Sequence, residues 1–429
     1  MLNYIEIEGG VPLQGKVQIG GAKNAALPML LASLLTSEPC KFTRVPNLQD
    51  VNLTLNLLEH FGAEVDYLGN TVDVSVSRLA ATEASLSLVK ALRASFWILG
   101  PLLARGKAAR VALPGGDIIG ARPVDMHLEA LGKMGADIKV KHGVVYATAA
   151  NGLRPAEIQF RFPSVGATHQ VLMAAALTPG LTTIEGAARE PEVVALAEML
   201  TLMGASIEGA GTSQVKIEGQ KELKGTSVDL IGDRIEAGTY LLAAAATHGQ
   251  IEVLGVDPLH FGRFLNILED MGVEISTTNN SVSIVAKKGL RGVRVSTGPF
   301  PEFATDLQAP LMAALSLAKG MSYIEENVFE GRFGHVSELC RMGAQIHVAE
   351  RLVTVEGRPK LTAAPVDALD IRAGAAVVIA ALASEGVSKI HEIHHLRRGY
   401  ENLEQKFSSL GARISCKLSD AEDYVFTGC

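Results

Sequence analysis

The sequence has little aromatic surface and no excess of positive charge, and these shortages remove nucleic acid from the expected partners. Aromatic residues make up 5% of the chain, with one Trp, and the formal net charge is -7; base stacking and phosphate neutralisation both need what is scarce here. Any positive site must therefore be local. Cys40, Cys340, Cys416 and Cys429 show neither CxxC pairing nor metal-ligand spacing. A chain of 429 residues buries enough core to need no disulfide staples, so a reducing, cytoplasmic setting is expected. The longest apolar runs, such as Ala373 to Ala383, reach about half a membrane span. Met1 to Gly10 carries Glu6 and Glu8 where a secretory leader would carry a basic stretch and then an apolar one. Neither a membrane partner nor a signal peptide is expected.

What the chain does have is internal repetition. A Gly-Ala or Gly-Val step recurs at Gly62-Ala63, Gly135-Ala136, Gly204-Ala205, Gly272-Val273, Gly343-Ala344 and Gly411-Ala412, at intervals of 73, 69, 68, 71 and 68 residues. That spacing is too even for chance. Before each step lies a segment with helical apolar spacing, such as Leu53, Leu57 and Leu58 or Val193, Leu196 and Leu200, so the Gly reads as a helix C-terminal cap. After it comes period-two alternation, as in Val65 and Tyr67 or Ile138 and Val140, followed by a second alternating stretch such as Thr71 to Ser75. A hairpin is expected after every such helix.

Earlier in each repeat stands a more uniformly apolar helix: Leu27 to Leu35, Phe96 to Ala104, Val171 to Leu177, Tyr240 to Ala246, Leu311 to Ala318 and Ala375 to Ala383. These predict buried helices, each followed by a β-branched strand. The repeat is then helix, strand, helix, strand, strand. Such a unit cannot cover its own apolar faces, so three per domain would pack with helices inside and sheets outside. The boundary is expected between the third and fourth repeats, near Lys221 to Ile231, where Lys221, Glu222, Lys224 and Gly225 form a polar break. A strand from Tyr4 to Ile19 precedes the first repeat, and the repeat pattern alone does not choose its domain.

If the repeat is scaffold, residues that break its consensus at one structural position are functional candidates. The starts of the buried helices carry Lys23-Asn24, Arg93, Ser164-Val165-Gly166, Arg234, Asp306 and Arg372. A cation at a helix N-terminus opposes the helix dipole by several tenths of a kcal/mol. Four of them at equivalent positions point to an anionic ligand, which exposed helix N–H groups and cations bind together. A solvated surface Arg would explain any one of these alone. The second helices repeat the pattern, with Arg122, Arg332 and Arg398 expected at their starts. The turn Pro114-Gly115-Gly116-Asp117-Ile118-Ile119-Gly120 has the flexibility of a lid and presents one carboxylate ahead of Arg122.

Two familiar patterns fail. Gly10 to Lys16 fits the GxxxxGK of a P-loop, but Val17 replaces the Ser or Thr that would hold Mg²⁺, and strand-like residues follow where a helix is required. His391-Glu-Ile-His-His395 matches HExxH, yet the repeat register puts it across a strand and a turn, where the His residues would be about 13 Å apart. No metal site is expected.

The segments Gly20-Gly-Ala-Lys23-Asn24-Ala-Ala-Leu-Pro28, Leu92-Arg93-Ala-Ser95 and Gly120-Ala-Arg-Pro-Val-Asp125 resemble those of the UDP-N-acetylglucosamine 1-carboxyvinyltransferases. The resemblance runs on through Ala188 to Glu192, Asp233-Arg-Ile-Glu236, Thr305-Asp-Leu-Gln308, Val328-Phe-Glu330, Arg332 and Arg398-Gly-Tyr-Glu401, and so spans the chain. It implies an α/β fold of two inside-out α/β barrels, each of three repeated units. Residues 21–230 would form the first domain, carrying the lid; residues 1–20 and 231–429 would form the second. The active site is expected in the cleft between them, closing on substrate.

The resemblance also implies substrates, phosphoenolpyruvate (PEP) and UDP-N-acetylglucosamine, and no cofactor. It assigns Lys23, Asn24, Arg122 and Arg398 to PEP. Arg93, Arg122, Pro123, Val124, Asp125, Met126, Phe162, Pro163, Ser164, Val165, Asp306 and Val328 would hold the UDP-sugar. Phe162 stands where some members have a Lys on the diphosphate, and Arg161 is a candidate replacement. Asp306 would take the proton of the attacking 3′-hydroxyl, while Lys23 and Arg398 stabilise developing charge. Asp117 would act as general acid where many members have a Cys. Its carboxyl must then keep its proton well above the ordinary value of about 3.9.

Overall fold

The structure, a computed structural model, describes residues 3–84, 89, 92–114, 119–120 and 123–418. Every one of the six repeat glycines adopts a left-handed backbone, with φ between 89° and 113°. In each case two hydrogen bonds close the preceding helix. Gly62 N–H reaches the Glu59 carbonyl at 2.9 Å and Ala63 N–H the Leu58 carbonyl at 3.0 Å, and the same pair recurs at the other five. This is the Schellman cap, and its left-handed backbone favours a residue without a Cβ at that position.

Six sheets form among the described residues, and they share one plan. In the first repeat, Cys40–Thr43 pairs antiparallel with Thr71–Ser75, which pairs antiparallel with Glu64–Leu68. A short strand, Ser227–Asp229, runs parallel beside Cys40–Thr43. Equivalent short strands, Glu157–Gln159, Arg294–Ser296 and Pro365–Asp367, precede three of the buried helices. The repeat is therefore strand, helix, strand, helix, hairpin. Its opening strand was absent from the expected unit because three residues are too few to show a period of two. In the second repeat a single bridge between Glu83 and Arg110 stands in that place.

The expected strand over Tyr4 to Ile19 is in fact two. Asn3–Glu8 and Gln14–Gln18 lie in different sheets, parted at Gly9, where an added Cβ would sit 2.2 Å from the Ala381 carbonyl oxygen. Asn3–Glu8 pairs antiparallel with Val387–His391 and with Arg413–Leu418. It thereby takes the place in this sheet that the second hairpin strand holds in the others, and the second strand expected after Arg413–Leu418 would lie outside the described residues.

By backbone proximity the described residues divide into two compact units: residues 3–20, 119–120 and 232–418 in one, residues 21–84, 89, 92–114 and 123–231 in the other. Each has its own core and three of the six sheets. In the first, the helices Arg234–Ala246, Gln308–Leu315 and Ile371–Ala383 pack on one another and are buried almost throughout. Their Ala-rich sequences let the axes approach closely. In the second, Lys23–Ala32, Leu99–Gly106 and Val165–Ala176 hold the same places. Sheets outside and apolar helices inside are what "inside-out" means for this fold.

Candidate active site

The N-terminal ends of the buried helices gather the charged side chains. Lys23 is the first residue of its helix and is buried, its Nζ 3.2 Å from Asp50 Oδ2. Asp50, also buried, lies in the first turn of the helix Gln49–His60. Asn24 follows Lys23, half-buried. Arg93 opens the 3₁₀ turn Arg93–Ile98 that leads into Leu99–Gly106. Ser164 caps Val165–Ala176, its Oγ accepting from Ala167 N–H at 3.3 Å, a bond of about 1 kcal/mol.

Several residues assigned to the UDP-sugar converge in the unit of the first three repeats. A Cβ on Gly166 would lie 2.8 Å from Trp97 Nε1 and 3.0 Å from His127 Cε1. The Arg93 turn, the helix Asp125–Lys133 and the Ser164 turn therefore meet at one glycine. His127 Nδ1 donates to Gln170 Oε1 at 2.5 Å, and burial first, then Arg93, lowers its pKa to about 4. The imidazole is neutral there. Pro123 is exposed, Val124 and Asp125 are half-buried, and Met126 is buried. Phe162 and Pro163 are exposed, while Val165 is half-buried. Arg161 is ion-paired with Asp125 and lies 3.6 Å from Glu129. Partial burial pushes the Asp125 carboxyl up, but the Met126 N–H and Arg161 outweigh it, and its pKa is lowered.

In the other unit the geometry centres on Asp306, in the 3₁₀ turn Thr305–Leu307 ahead of Gln308–Leu315. Arg332 Nη1 lies 2.9 Å from its Oδ1, and Arg372 donates to its Oδ2 from Nη2 at 2.8 Å and from Nε at 3.2 Å. Both arginines are buried. Burial works against the Arg372 charge, but Asp306 beside it more than restores the charged form and raises its pKa. Arg372 Nη1 also donates to Tyr400 Oη at 3.2 Å, and that hydroxyl is 2.9 Å from Thr239 Oγ1. Val328 is exposed beyond the strand Met321–Glu325.

Arg398 is not at a helix start. It is the C-cap of the four-residue turn His394–Arg397, its N–H reaching the His395 carbonyl at 3.3 Å. A four-residue helix is too short to register in an apolar periodicity. Arg332 precedes the helix His335–Arg341 by a turn. Asp117 and Arg122 lie outside the described residues. His391 ends a strand while His394 and His395 begin the short helix, so the HExxH match does not place its ligands on one helix face. Among the described residues no group of three or more His, Cys, Asp or Glu could hold a metal ion, and no helix is long and apolar enough to cross a membrane.

This fold, with charged side chains at the N-terminal ends of its buried helices, is that of a class, the enolpyruvyl transferases. The family model for EPSP synthase (3-phosphoshikimate 1-carboxyvinyltransferase) matches residues 7–407. The enolpyruvyl transferase NikO from Streptomyces tendae superposes with a TM-score of 0.88 at 27% identity, covering 98% of this chain and 100% of that one. EPSP synthase from Acinetobacter baumannii superposes with a TM-score of 0.74 at 18% identity over 97% of this chain, a likeness of fold. The chain belongs to the enolpyruvyl transferase family. Within it, proteins from Desulfosudis oleivorans and Nitratidesulfovibrio vulgaris, each 48% identical over 96% of this chain and 99% of their own length, are named UDP-N-acetylglucosamine 1-carboxyvinyltransferase. One from Trichlorobacter lovleyi, 46% identical over the same shares, bears the same name.

Proposed function

We propose that this chain transfers the enolpyruvyl group of PEP to the 3′-hydroxyl of UDP-N-acetylglucosamine, releasing phosphate, the first committed step of peptidoglycan synthesis. The observation that carries this reading is end-to-end identity of 46–48% with proteins of that name, together with Asp306 held between Arg332 and Arg372. The oxygen of the sugar bonds to C2 of PEP while C3 takes a proton and becomes a methyl group; loss of one of the three methyl protons with the phosphate then restores the double bond. Asp306 accepts the hydroxyl proton, and its paired guanidinium groups orient it. Lys23, Asn24, Arg122 and Arg398 bind PEP. Arg93, Arg122, the segment 123–126, the segment 162–165 and Val328 hold the UDP-sugar, with Asp306 on its hydroxyl.

Asp117 supplies the proton to C3. Since it is a carboxyl where a thiolate would be open to alkylation by the epoxide of fosfomycin, the enzyme resists covalent inactivation by that drug. It acts in the cytoplasm and serves wall growth, cell shape and division. Arg161, already engaged with Asp125 and Glu129, turns toward the diphosphate only by leaving them. The test is phosphate release from PEP with three acceptors in parallel: UDP-N-acetylglucosamine, shikimate 3-phosphate and none. Release with the UDP-sugar alone is expected; release with shikimate 3-phosphate alone would overturn the reading.

A further inference from the structure

We propose that Glu326, acting through the hydroxyl of Thr305, is a positioning residue that sets Asp306, Arg332 and Val328 for the sugar acceptor; this rests on the function just given. Glu326 follows the strand Met321–Glu325, in phase with its buried residues Ser322 and Ile324. It is fully buried, at 0% exposure, which is costly for a carboxylate unless its oxygens are satisfied. They are. Oε1 accepts from Thr297 Oγ1 at 2.9 Å, Val328 N–H at 2.8 Å and Phe329 N–H at 2.9 Å. Oε2 accepts from Thr305 Oγ1 at 2.9 Å.

The polarity of this chain follows from proton counting. A carboxylate only accepts and a hydroxyl has one proton, so Thr305 gives its proton to Glu326. It must then present a lone pair elsewhere, and Arg332 Nη1 donates to it at 3.0 Å. The same nitrogen lies 2.9 Å from Asp306 Oδ1. One end of Glu326 thus orients the guanidinium that holds Asp306, and the other fixes the backbone of Val328. A Gln at this position would turn an N–H₂ either on those donors or on Thr305, and reverse part of the chain.

The experiment compares Thr305→Val, Thr305→Ser and Glu326→Gln with the parent protein, measuring Tm, kcat, KM for each substrate, and calorimetric affinity for UDP-N-acetylglucosamine. Thr305→Val keeps the shape but breaks the relay. It is expected to raise the KM and Kd for the UDP-sugar and lower kcat by about tenfold or more, the scale of a lost hydrogen bond to a charged group, with the KM for PEP nearly unchanged. Thr305→Ser should restore the parent values, and Glu326→Gln should behave as Thr305→Val. Variants with a lower Tm but parental kcat and UDP-sugar affinity would show a loop anchor only and overturn the inference. A parent that released no phosphate with the UDP-sugar would overturn the proposed function itself, which the parent assay reads separately.

Discussion

At the scale of single residues, a carboxylate gripped by two buried guanidinium groups is oriented more than it is merely charged. Asp306 has both oxygens engaged, by Arg332 and Arg372, so its direction is set before substrate arrives. Arg398 is half-buried at the end of a short turn, and Arg398→Ala should leave the fold intact while turnover falls by orders of magnitude; parental kinetics would remove it from the PEP site. Asp117→Cys should create sensitivity to fosfomycin. Intact-mass spectrometry after incubation with drug and UDP-sugar is expected to show an adduct on that variant and none on the parent; a stoichiometric parental adduct mapped to Asp117 would refute the argument. Gly166→Ala should push the Trp97 and His127 rings apart, since the new Cβ would lie within 3.0 Å of both. A cost of about 1–3 kcal/mol and weaker UDP-sugar binding follow, readable by thermal unfolding and calorimetry. The cationic helix starts were legible in sequence because they contradict the helix dipole. Glu326 and His127 were not, since residue type alone does not distinguish a buried Glu or His from a surface one.

At the scale of elements, the repeat was legible through its glycines because a Schellman cap demands a left-handed residue, and the same demand recurs six times. The short parallel strands were invisible to periodicity, and the pairing of Asn3–Glu8 with the sixth repeat is a contact across most of the chain that no local pattern records. The buried helices and those packed on them also carry imidazoles that burial keeps neutral. Burial lowers the pKa of His127 to about 4, that of His169 to about 3 with His127 adding to the shift, and that of His335 to about 3 with Arg332 adding to it. Their ordinary value is 6.5. Below it the unfolded chain takes up protons that the folded chain refuses, so the stability these groups contribute is present above pH 6.5 and lost as pH falls toward 4 and 3. Each site contributes at most about 1.4 kcal/mol per pH unit in that window. Thermal unfolding between pH 7 and 5 should show Tm falling, and His335→Leu should make the fall shallower. A Tm independent of pH over that range would contradict the assignment.

At the scale of the whole molecule, the chain passes from one compact unit to the other near Gly20 and again near Ile231, and residues 119–120 group with the unit of residues 232–418 as well. Gln14–Gln18 precedes the helix Lys23–Ala32 yet pairs with Gln250–Leu254, and Ser227–Asp229 precedes Arg234–Ala246 yet pairs with Cys40–Thr43. Each unit's sheets are thus completed by a strand that the sequence places beside the other's first helix. The count of six repeats could be read from the chain; this exchange could not, because it depends on pairing and not on pattern. The measurement that bears most directly on the central claim is identification of the product by mass spectrometry after reaction of PEP with UDP-N-acetylglucosamine in D₂O. Addition and elimination through a C3 methyl predict a UDP-sugar carrying one enolpyruvyl group with deuterium in its methylene. A UDP-sugar recovered without added mass, under conditions where PEP is consumed, would contradict the account.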